Sequence, residues 1–200
     1  MAPPGAAGRC VAMKVFLDFE ASSLGKNSYP IEVAWVFEDG QCESFLIRPA
    51  DGWTDWEATA EDIHHISRSQ LETEGTAHDD VARRMVAVLD GHSLFVSAPS
   101  WDGKWLSVLL RAAGLPRHAL RLQDTEKAQR EAVREQLGGL LTGNALKAAM
   151  GNILTHAAMM NRQPVRHRAL ADARQEWQLW KETARLAQEQ RALLKGARHA

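Results

Sequence analysis

The alternation of hydrophobic and polar residues divides the chain into a strand-rich first part and a helical second part. Period-two alternation and short apolar runs between polar turns predict strands at 14–19, 31–37, 44–47, 93–98 and 120–123. Hydrophobic residues three and four positions apart predict helices at 60–66, 78–89, 101–113, 126–137, 145–160 and 168–195. Gly91 and Gly114 lie just past the ends of the segments 78–89 and 101–113, as expected of residues that end helices.

The order of these elements indicates an α/β protein. Three strands joined by short turns, followed by alternating helix and strand, are typical of a mixed sheet with helices on both faces. We expect a central mixed five-stranded sheet flanked by helices, with a long C-terminal helix. A chain of 200 residues suits one domain better than two, and that domain should cover residues 13–196. Residues 1–12 are small, rich in proline and glycine, and expected to be a disordered leader.

Composition is that of an ordinary soluble protein. Hydrophobic residues make up 45% of the chain and charged residues 24%, which is usual for globular proteins. No apolar run approaches the ~20 residues that a membrane helix needs. Cys10 and Cys42 are too few for a disulfide framework or a zinc site by themselves. A cytoplasmic location is therefore the default expectation.

Charge is distributed unevenly along the chain. The net charge is −1, but residues 1–100 carry 7 Lys/Arg against 16 Asp/Glu, and residues 101–200 carry 17 against 9. An acidic half beside a basic half suits a site that holds cations and receives a phosphate backbone. Solvated surface explains the same distribution equally well when charge is considered alone.

Two carboxylates lie at the end of the first predicted strand. Residues two apart in a strand point to the same face, so Asp18 and Glu20 project together, opposite Val15, Leu17 and Phe19. Adjacent carboxylates repel each other and lose hydration when buried. A hard divalent cation such as Mg²⁺ or Mn²⁺ would relieve both costs. A strand that simply runs out into solvent is the ordinary alternative.

Asp102 and the pair His167 and Asp172 supply further candidates. Asp102 opens a predicted helix, where an acid is also favoured merely because it caps exposed amides. Asp172 lies near the start of the last helix, beside an apolar stripe, and His167 lies in the loop that precedes it. A histidine in such a loop could accept a proton from water near neutral pH. The stripe consists of Leu170, Ala173, Trp177, Trp180, Ala184 and Ala187.

In this order the residues resemble the DEDDh exonucleases, a ribonuclease H-like family that includes polymerase proofreading subunits and oligoribonuclease. Residues 16–24 look like the first family motif, 94–106 like the second, and the His167-x4-Asp172 spacing like the third. Residues 62–66 look like the segment that flanks the terminal nucleotide. The likeness covers about residues 13–180, and its specific parts are the third motif and the order of all three.

The resemblance implies a metal-dependent 3′–5′ exonuclease that releases nucleoside 5′-monophosphates from the 3′ end of single-stranded DNA or RNA. Asp18, Glu20, Asp102 and Asp172 would bind two divalent ions, Mg²⁺ or Mn²⁺, which act on the attacking and leaving oxygens of a phosphodiester. His167 would be the general base of the catalytic set.

The same resemblance implies contacts with the substrate. The turn after Glu20 would receive the terminal sugar through its backbone, Leu24 and Ile66 would wedge against the last base, and the tryptophans could stack on bases. The expected substrate-binding residues are Ala21, Ser22, Ser23, Leu24, His65, Ile66, Trp101 and Trp105. Core packing is an equal alternative for the four large apolar ones. Four cations near the motifs could contact phosphates or be surface charge: Lys104, Arg162, Arg166 and Arg168.

The second motif departs from the family pattern. Members commonly carry a His-Asn pair and an aromatic residue before the acid, whereas this chain has Ser97-Ala98-Pro99-Ser100-Trp101-Asp102. The aromatic residue is present as Trp101. The missing polar pair puts the family's substrate contacts at this point in doubt, and Pro99 is expected to change the strand-to-helix turn.

Three alternative functions remain open on the sequence. The first is an oligoribonuclease-like enzyme that acts on very short RNA. The second is a non-cleaving binder of nucleic-acid 3′ ends. The third is a helical interaction protein, which leaves the acidic residues unexplained, although the stripe of the last helix could form a homodimer surface. Single-stranded nucleic-acid 3′ ends are the expected partner in the preferred interpretation, with no membrane association.

Overall fold

The computed structural model describes residues 12–162 and 166–197. The expected leader, except Ala12, lies outside the described residues. Among the described residues the strands are β1 Lys14–Ala21, β2 Pro30–Phe37, β3 Cys42–Arg48, β4 Thr76–Ala77, β5 Ser93–Val96 and β6 Leu122–Asp124. The helices are α1 Ala58–His64, α2 Arg68–Glu74, α3 His78–Leu89, α4 Pro99–Ala112, α5 Thr125–Leu137, α6 Gly143–Met160 and α7 Ala169–Gly196.

The strands form one mixed sheet in the order β4-β3-β2-β1-β5-β6. β1, β2 and β3 pair antiparallel, as their short connections require, whereas β5 and β6 continue the sheet parallel to β1. β4 pairs parallel to β3 at the other edge. The predicted mixed α/β architecture with a long C-terminal helix is therefore confirmed, and the described sheet has one strand more than expected.

The central strand β1 is buried on both faces. Val15, Leu17 and Phe19 face the main core, which also contains buried residues of α3 and α4. Phe16 faces the opposite layer, where its ring lies 5.7 Å from that of Phe95 and 5.5 Å from that of Trp180. Since Asp18 and Glu20 share the face of Phe16, they point into the layer that α7 covers.

Helix α7 crosses this second layer over its 28 residues. Its apolar stripe is used inside the domain, because Ala173, Trp180 and Ala187 are buried and α7 packs on β1, β2, α5 and α6. The stripe therefore fills an internal interface, and the homodimer remains a prediction without a surface assigned to it. No described helix combines the length and apolar composition needed to span a bilayer.

Two elements were not anticipated from the sequence. β4 has two residues, which are too few to show an alternating pattern. Helix α2 buries only Leu71, so it lacks a periodic apolar face. Its signal is local instead: the Ser67 hydroxyl accepts a hydrogen bond from the amide of Gln70 at 3.2 Å, and a serine followed three residues later by glutamine is a helix-start pattern.

Candidate active site

Three carboxylates converge where β1 ends. Asp18 and Glu20 lie in its last four residues, and the pairing with β2 shifts register between Glu20 and Ala21. Asp172 comes from the first turn of α7. One oxygen from each of these three carboxylates lies within 4.8 Å of the others. Two segments about 150 residues apart in sequence thus place acidic groups close enough to share a cation.

Asp102 joins them from the start of α4. Its side chain is only 2% exposed, and its Oδ2 accepts a hydrogen bond from the amide of Ala98 at 3.2 Å. It also lines the same cavity of about 290 Å³ as Asp18, Glu20 and Asp172. Asp102 therefore bonds the amide that precedes α4 and also lines the cavity, and its role as a metal ligand remains a prediction.

His167 lies at the rim of this cavity, immediately before α7. Its backbone adopts the left-handed conformation, with φ of 50°, which is uncommon for a residue with a Cβ atom. The side chain is exposed, so water can reach the imidazole. All five residues of the predicted catalytic set consequently line one cavity, and their catalytic roles remain predictions.

Burial and mutual repulsion disfavour ionisation of the carboxylates. Burial, followed by the charges of Asp102, Glu20 and Asp172, raises the pKa of Asp18 well above its usual range. Burial raises the pKa of Glu20 to about 8, with Asp172 as the largest charge contribution, and burial raises the pKa of Asp102 to about 7. A divalent cation would offset these costs, because oxygen donors that are hard and negatively charged suit Mg²⁺ or Mn²⁺. The residues present therefore fit such an ion.

An ion pair between the buried Glu32 and the half-exposed Arg168 fixes the start of α7. Glu32 on β2 is 3% exposed and accepts hydrogen bonds from Arg168 Nε at 3.1 Å and Nη2 at 2.8 Å. It also accepts from the amide of Ala169 at 2.9 Å. Arg168, considered above as a phosphate contact, is thus bound to Glu32, which the sequence analysis did not single out. These three bonds hold the segment that carries His167 and Asp172.

The turn after β1 is held by polar contacts from two sides. The Ser22 and Ser23 hydroxyls both donate to Asp55 Oδ2, at 2.9 and 2.5 Å. Lys104 Nζ donates to the carbonyl of Gly25 at 2.6 Å and to the hydroxyl of Ser28 at 2.8 Å. The ammonium of Lys104 is therefore already bonded within the protein, which disfavours the phosphate contact considered for it. The hydroxyls of Ser22 and Ser23 therefore stabilise the turn and are not free for a ligand.

The expected substrate-binding residues comprise three that line the cavity, three that are buried beside it and two that lie outside its described lining. Leu24, Trp101 and Trp105 line the cavity, with Leu24 67% and Trp101 38% exposed and Trp105 buried. Ala21, Ser22 and Ser23 are buried in the adjoining turn.

His65 and Ile66 are absent from the described lining of the cavity. His65 is exposed, whereas Ile66 is fully buried in a cluster with Tyr29, Ile31 and Leu71. A side chain with no exposed surface cannot wedge against a base in this conformation. For Ile66 the packing is that of a core residue.

Glu176 is a cavity-lining carboxylate that the sequence analysis missed. It lies one turn after Asp172 on α7, and burial raises its pKa, with charge contributions from Asp124 and Asp172. The neighbouring Gln175 also lines the cavity. The i, i+4 spacing of Asp172 and Glu176 places them on one helix face, and this spacing could have identified Glu176 from the sequence.

Comparison with known proteins gives a fold relationship. No family model matches the sequence, and no curated protein matches it. Exonuclease I from E. coli in complex with a dT13 oligonucleotide has a TM-score of 0.59 and 16% identity, covering 83% of this chain and 39% of that chain. Moderately thermophilic exonuclease I from Methylocaldum szegediense gives 0.59 and 16%, covering 86% and 40%. A further exonuclease I structure gives 0.61 and 18%, covering 88% and 42%.

The chain therefore spans about two fifths of the length of these exonuclease I chains. Identities of 16–18% relate the folds and do not by themselves transfer an activity. The α/β, ribonuclease H-like fold class expected from the sequence is confirmed, and the chain has the fold seen in exonuclease I.

Proposed function

We propose that the protein is a metal-dependent nuclease of the DEDDh type that removes nucleoside 5′-monophosphates from the 3′ end of single-stranded DNA or RNA. One observation carries the proposal: Asp18, Glu20, Asp102 and Asp172 line one cavity together with His167, although they come from three distant segments. The fold relationship to exonuclease I supports the same interpretation.

Asp18, Glu20, Asp102 and Asp172 would hold the divalent ions, Mg²⁺ or Mn²⁺, of which we expect two. When bound, these ions would supply Lewis-acid stabilisation of the charge that develops on the phosphodiester. The protein contributes the fixed geometry of the ligands. Asp102 is held by the Ala98 amide, and the helix turn that carries Asp172 is held through Glu32.

His167 would act as the general base. An exposed imidazole at the rim of the cavity can take the proton from the attacking water and return it to solvent. Its left-handed backbone is adjacent to Arg168, whose bonds to Glu32 restrict movement of the loop. The base would therefore keep one position relative to Asp172.

The terminal nucleotide would lie between the turn after β1 and the start of α4. Leu24 and Trp101 expose apolar surface at the rim, where bases can stack or pack. The bonds of Asp55 and Lys104 hold this turn beside the cavity, and we expect it to block a strand from continuing beyond the cations. This supports cleavage at a free end, with the 3′-hydroxyl facing the turn.

The test is a cleavage assay on 5′-labelled linear single-stranded DNA and RNA, long oligomers and dinucleotides, with Mg²⁺, Mn²⁺ or excess chelator. We expect stepwise shortening from the 3′ end that requires the cation and is abolished by Asp18→Asn and by Asp172→Asn. Asp51→Asn, at an exposed position outside the lining of the cavity, is the matched control and should retain activity. Full cleavage in chelator, or binding of 3′ ends without any cleavage, would contradict the proposal. Preference for dinucleotides over long RNA would instead indicate an oligoribonuclease-like enzyme.

A further inference from the structure

A second cleft lies on the other side of the first turn of α4. Ser97, Ala98, Trp101 and Asp102 face the candidate active site, whereas Pro99 and Gly103 line the second cleft. This cleft has a volume of about 570 Å³. The two cavities therefore share the start of α4 as a common wall.

The second cleft is basic. Its outer wall is the segment before β6, which contributes Arg117, His118 and Arg121, all with exposed side chains. Among the described residues, those lining the cleft include no Asp or Glu. Arg117 Nε donates to His118 Nε2 at 2.7 Å, so the two side chains lie side by side. The candidate active site, by contrast, is lined by carboxylates.

The inner wall of the cleft is kept open by small residues. Gly103 and Ser107 lie one helical turn apart on α4, and Arg111 follows at the same spacing, so all three share one helix face. A Cβ atom placed at Gly103 would meet no atom within 4 Å. A glycine in a helix interior costs about 1 kcal/mol relative to alanine, and no internal contact requires it here. The space in front of Gly103 is therefore open to the cleft.

We propose that this cleft binds phosphates of the single strand upstream of the bond to be cleaved, with Arg117 and Arg121 as the phosphate contacts. The inference rests on the proposed function, since it assumes that a strand reaches the cavity beside α4. Exposed guanidinium groups suit phosphate oxygens because they donate several hydrogen bonds in a planar fork. Contacts of this kind carry no base information, so they would serve strands of any sequence. They would matter for long substrates and not for dinucleotides.

Binding is tested with the full chain and a 5′-fluorescein oligothymidylate in chelator, by fluorescence anisotropy across a salt series. Arg117→Gln/Arg121→Gln should weaken binding about 2- to 30-fold, the range for two exposed charge pairs. The slope of log affinity against log salt should fall by about 1.4, because each single-strand phosphate contact contributes roughly 0.7. Ser107→Lys adds a cation to the same cleft and should strengthen binding. Arg134→Gln on α5, another exposed arginine, is the net-charge control for the single variants Arg117→Gln and Arg121→Gln.

Cleavage separates this proposal from the proposed function. In Mg²⁺ the double variant should lower kcat/KM for a long oligomer and leave kcat/KM for a dinucleotide within about twofold. Equal losses on both substrates, an unchanged salt slope, or an equal loss in Arg134→Gln would overturn the role of the cleft. If the protein never cleaves the oligomer but the double variant lowers the salt slope of binding as expected, the cleft stands and the exonuclease proposal falls.

Discussion

Replacing Glu32 tests how much its ion pair with Arg168 contributes to the site. Glu32→Gln keeps the shape of the side chain and removes the charge that Arg168 and the Ala169 amide bind. A hydrogen bond to a charged group contributes about 1.5–3 kcal/mol, and breaking a buried pair costs about 3–5 kcal/mol. Arg168 is partly exposed and can regain hydration, which reduces the cost. The amide oxygen of glutamine can still accept one bond.

We therefore expect Glu32→Gln to lower the free energy of unfolding by about 2–3 kcal/mol, measured by urea denaturation in chelator. Part of this loss is offset at Glu20, since Glu32 pairs with it across the strands and helps to raise its pKa. Cleavage should fall even under conditions where the variant is fully folded, because the helix turn that carries Asp172 loses its charged contact with position 32. A higher Mg²⁺ requirement should accompany the loss.

Arg168→Lys is the matched variant, since it keeps the charge and loses the two-pronged contact. It should reduce stability less than Glu32→Gln, and the double variant should show strong coupling between the two positions. Stability of Glu32→Gln within about 0.5 kcal/mol of wild type, the usual scale of a surface substitution, would refute the reasoning. So would additive effects of the two substitutions.

Three further predictions concern pH, the candidate base and backbone strain. Without metal, Glu20 and Asp102 have raised pKa values, so the fold should be most stable at low pH, where both side chains are protonated. This stability should be lost as pH rises from about 4.5 towards about 8, and added Mg²⁺ should restore Tm at pH 8. His167→Ala should lower turnover roughly 10²–10⁴-fold at saturating Mg²⁺. His65 has a left-handed backbone with φ of 57°, which glycine adopts without strain, so His65→Gly should leave the free energy of unfolding unchanged or raise it by up to about 1 kcal/mol. Asp62→Gly, inside α1, should instead lower the free energy of unfolding by about 1 kcal/mol.

Contrary outcomes are readily recognised. Thermal stability that rises with pH in chelator would show that Glu20 and Asp102 are ionised at little cost. Turnover of His167→Ala close to that of the wild type would remove His167 from proton transfer. Equal destabilisation by glycine at positions 65 and 62 would mean that the left-handed conformation carries no strain.

Local pattern predicted the parts of the site that depend on local geometry. The alternation in β1 is enough to place Asp18 and Glu20 on one face, and helix-start chemistry is enough to place Asp102 in the first turn of α4. The short strand β4 and the weakly apolar helix α2 lacked the periodicity on which such prediction depends.

The partners of charged side chains were the least predictable features. Arg168 binds Glu32 136 positions away, and Lys104 binds Gly25 79 positions away. Both cations lie beside motif residues in the sequence, and this position suggested phosphate contacts instead. Which residues oppose each other depends on the register of the sheet and the packing of α4 and α7. A sequence pattern gives the face of a residue and not its partner on another element.

The pairing of β1 with β2 has a consequence for folding. One face of β1 is apolar along its length, with Val15, Leu17, Phe19 and Ala21, whereas the other face carries Lys14, Asp18 and Glu20 around Phe16. A shift by one residue would turn every side chain of β1 to the opposite face. Asp18 and Glu20 would then point into the apolar layer beneath α3 and α4, whose described core residues carry no charge. The acidic pair thus penalises the shifted alignment far more than the native one, and the residues of the candidate site also specify how the central strand is aligned.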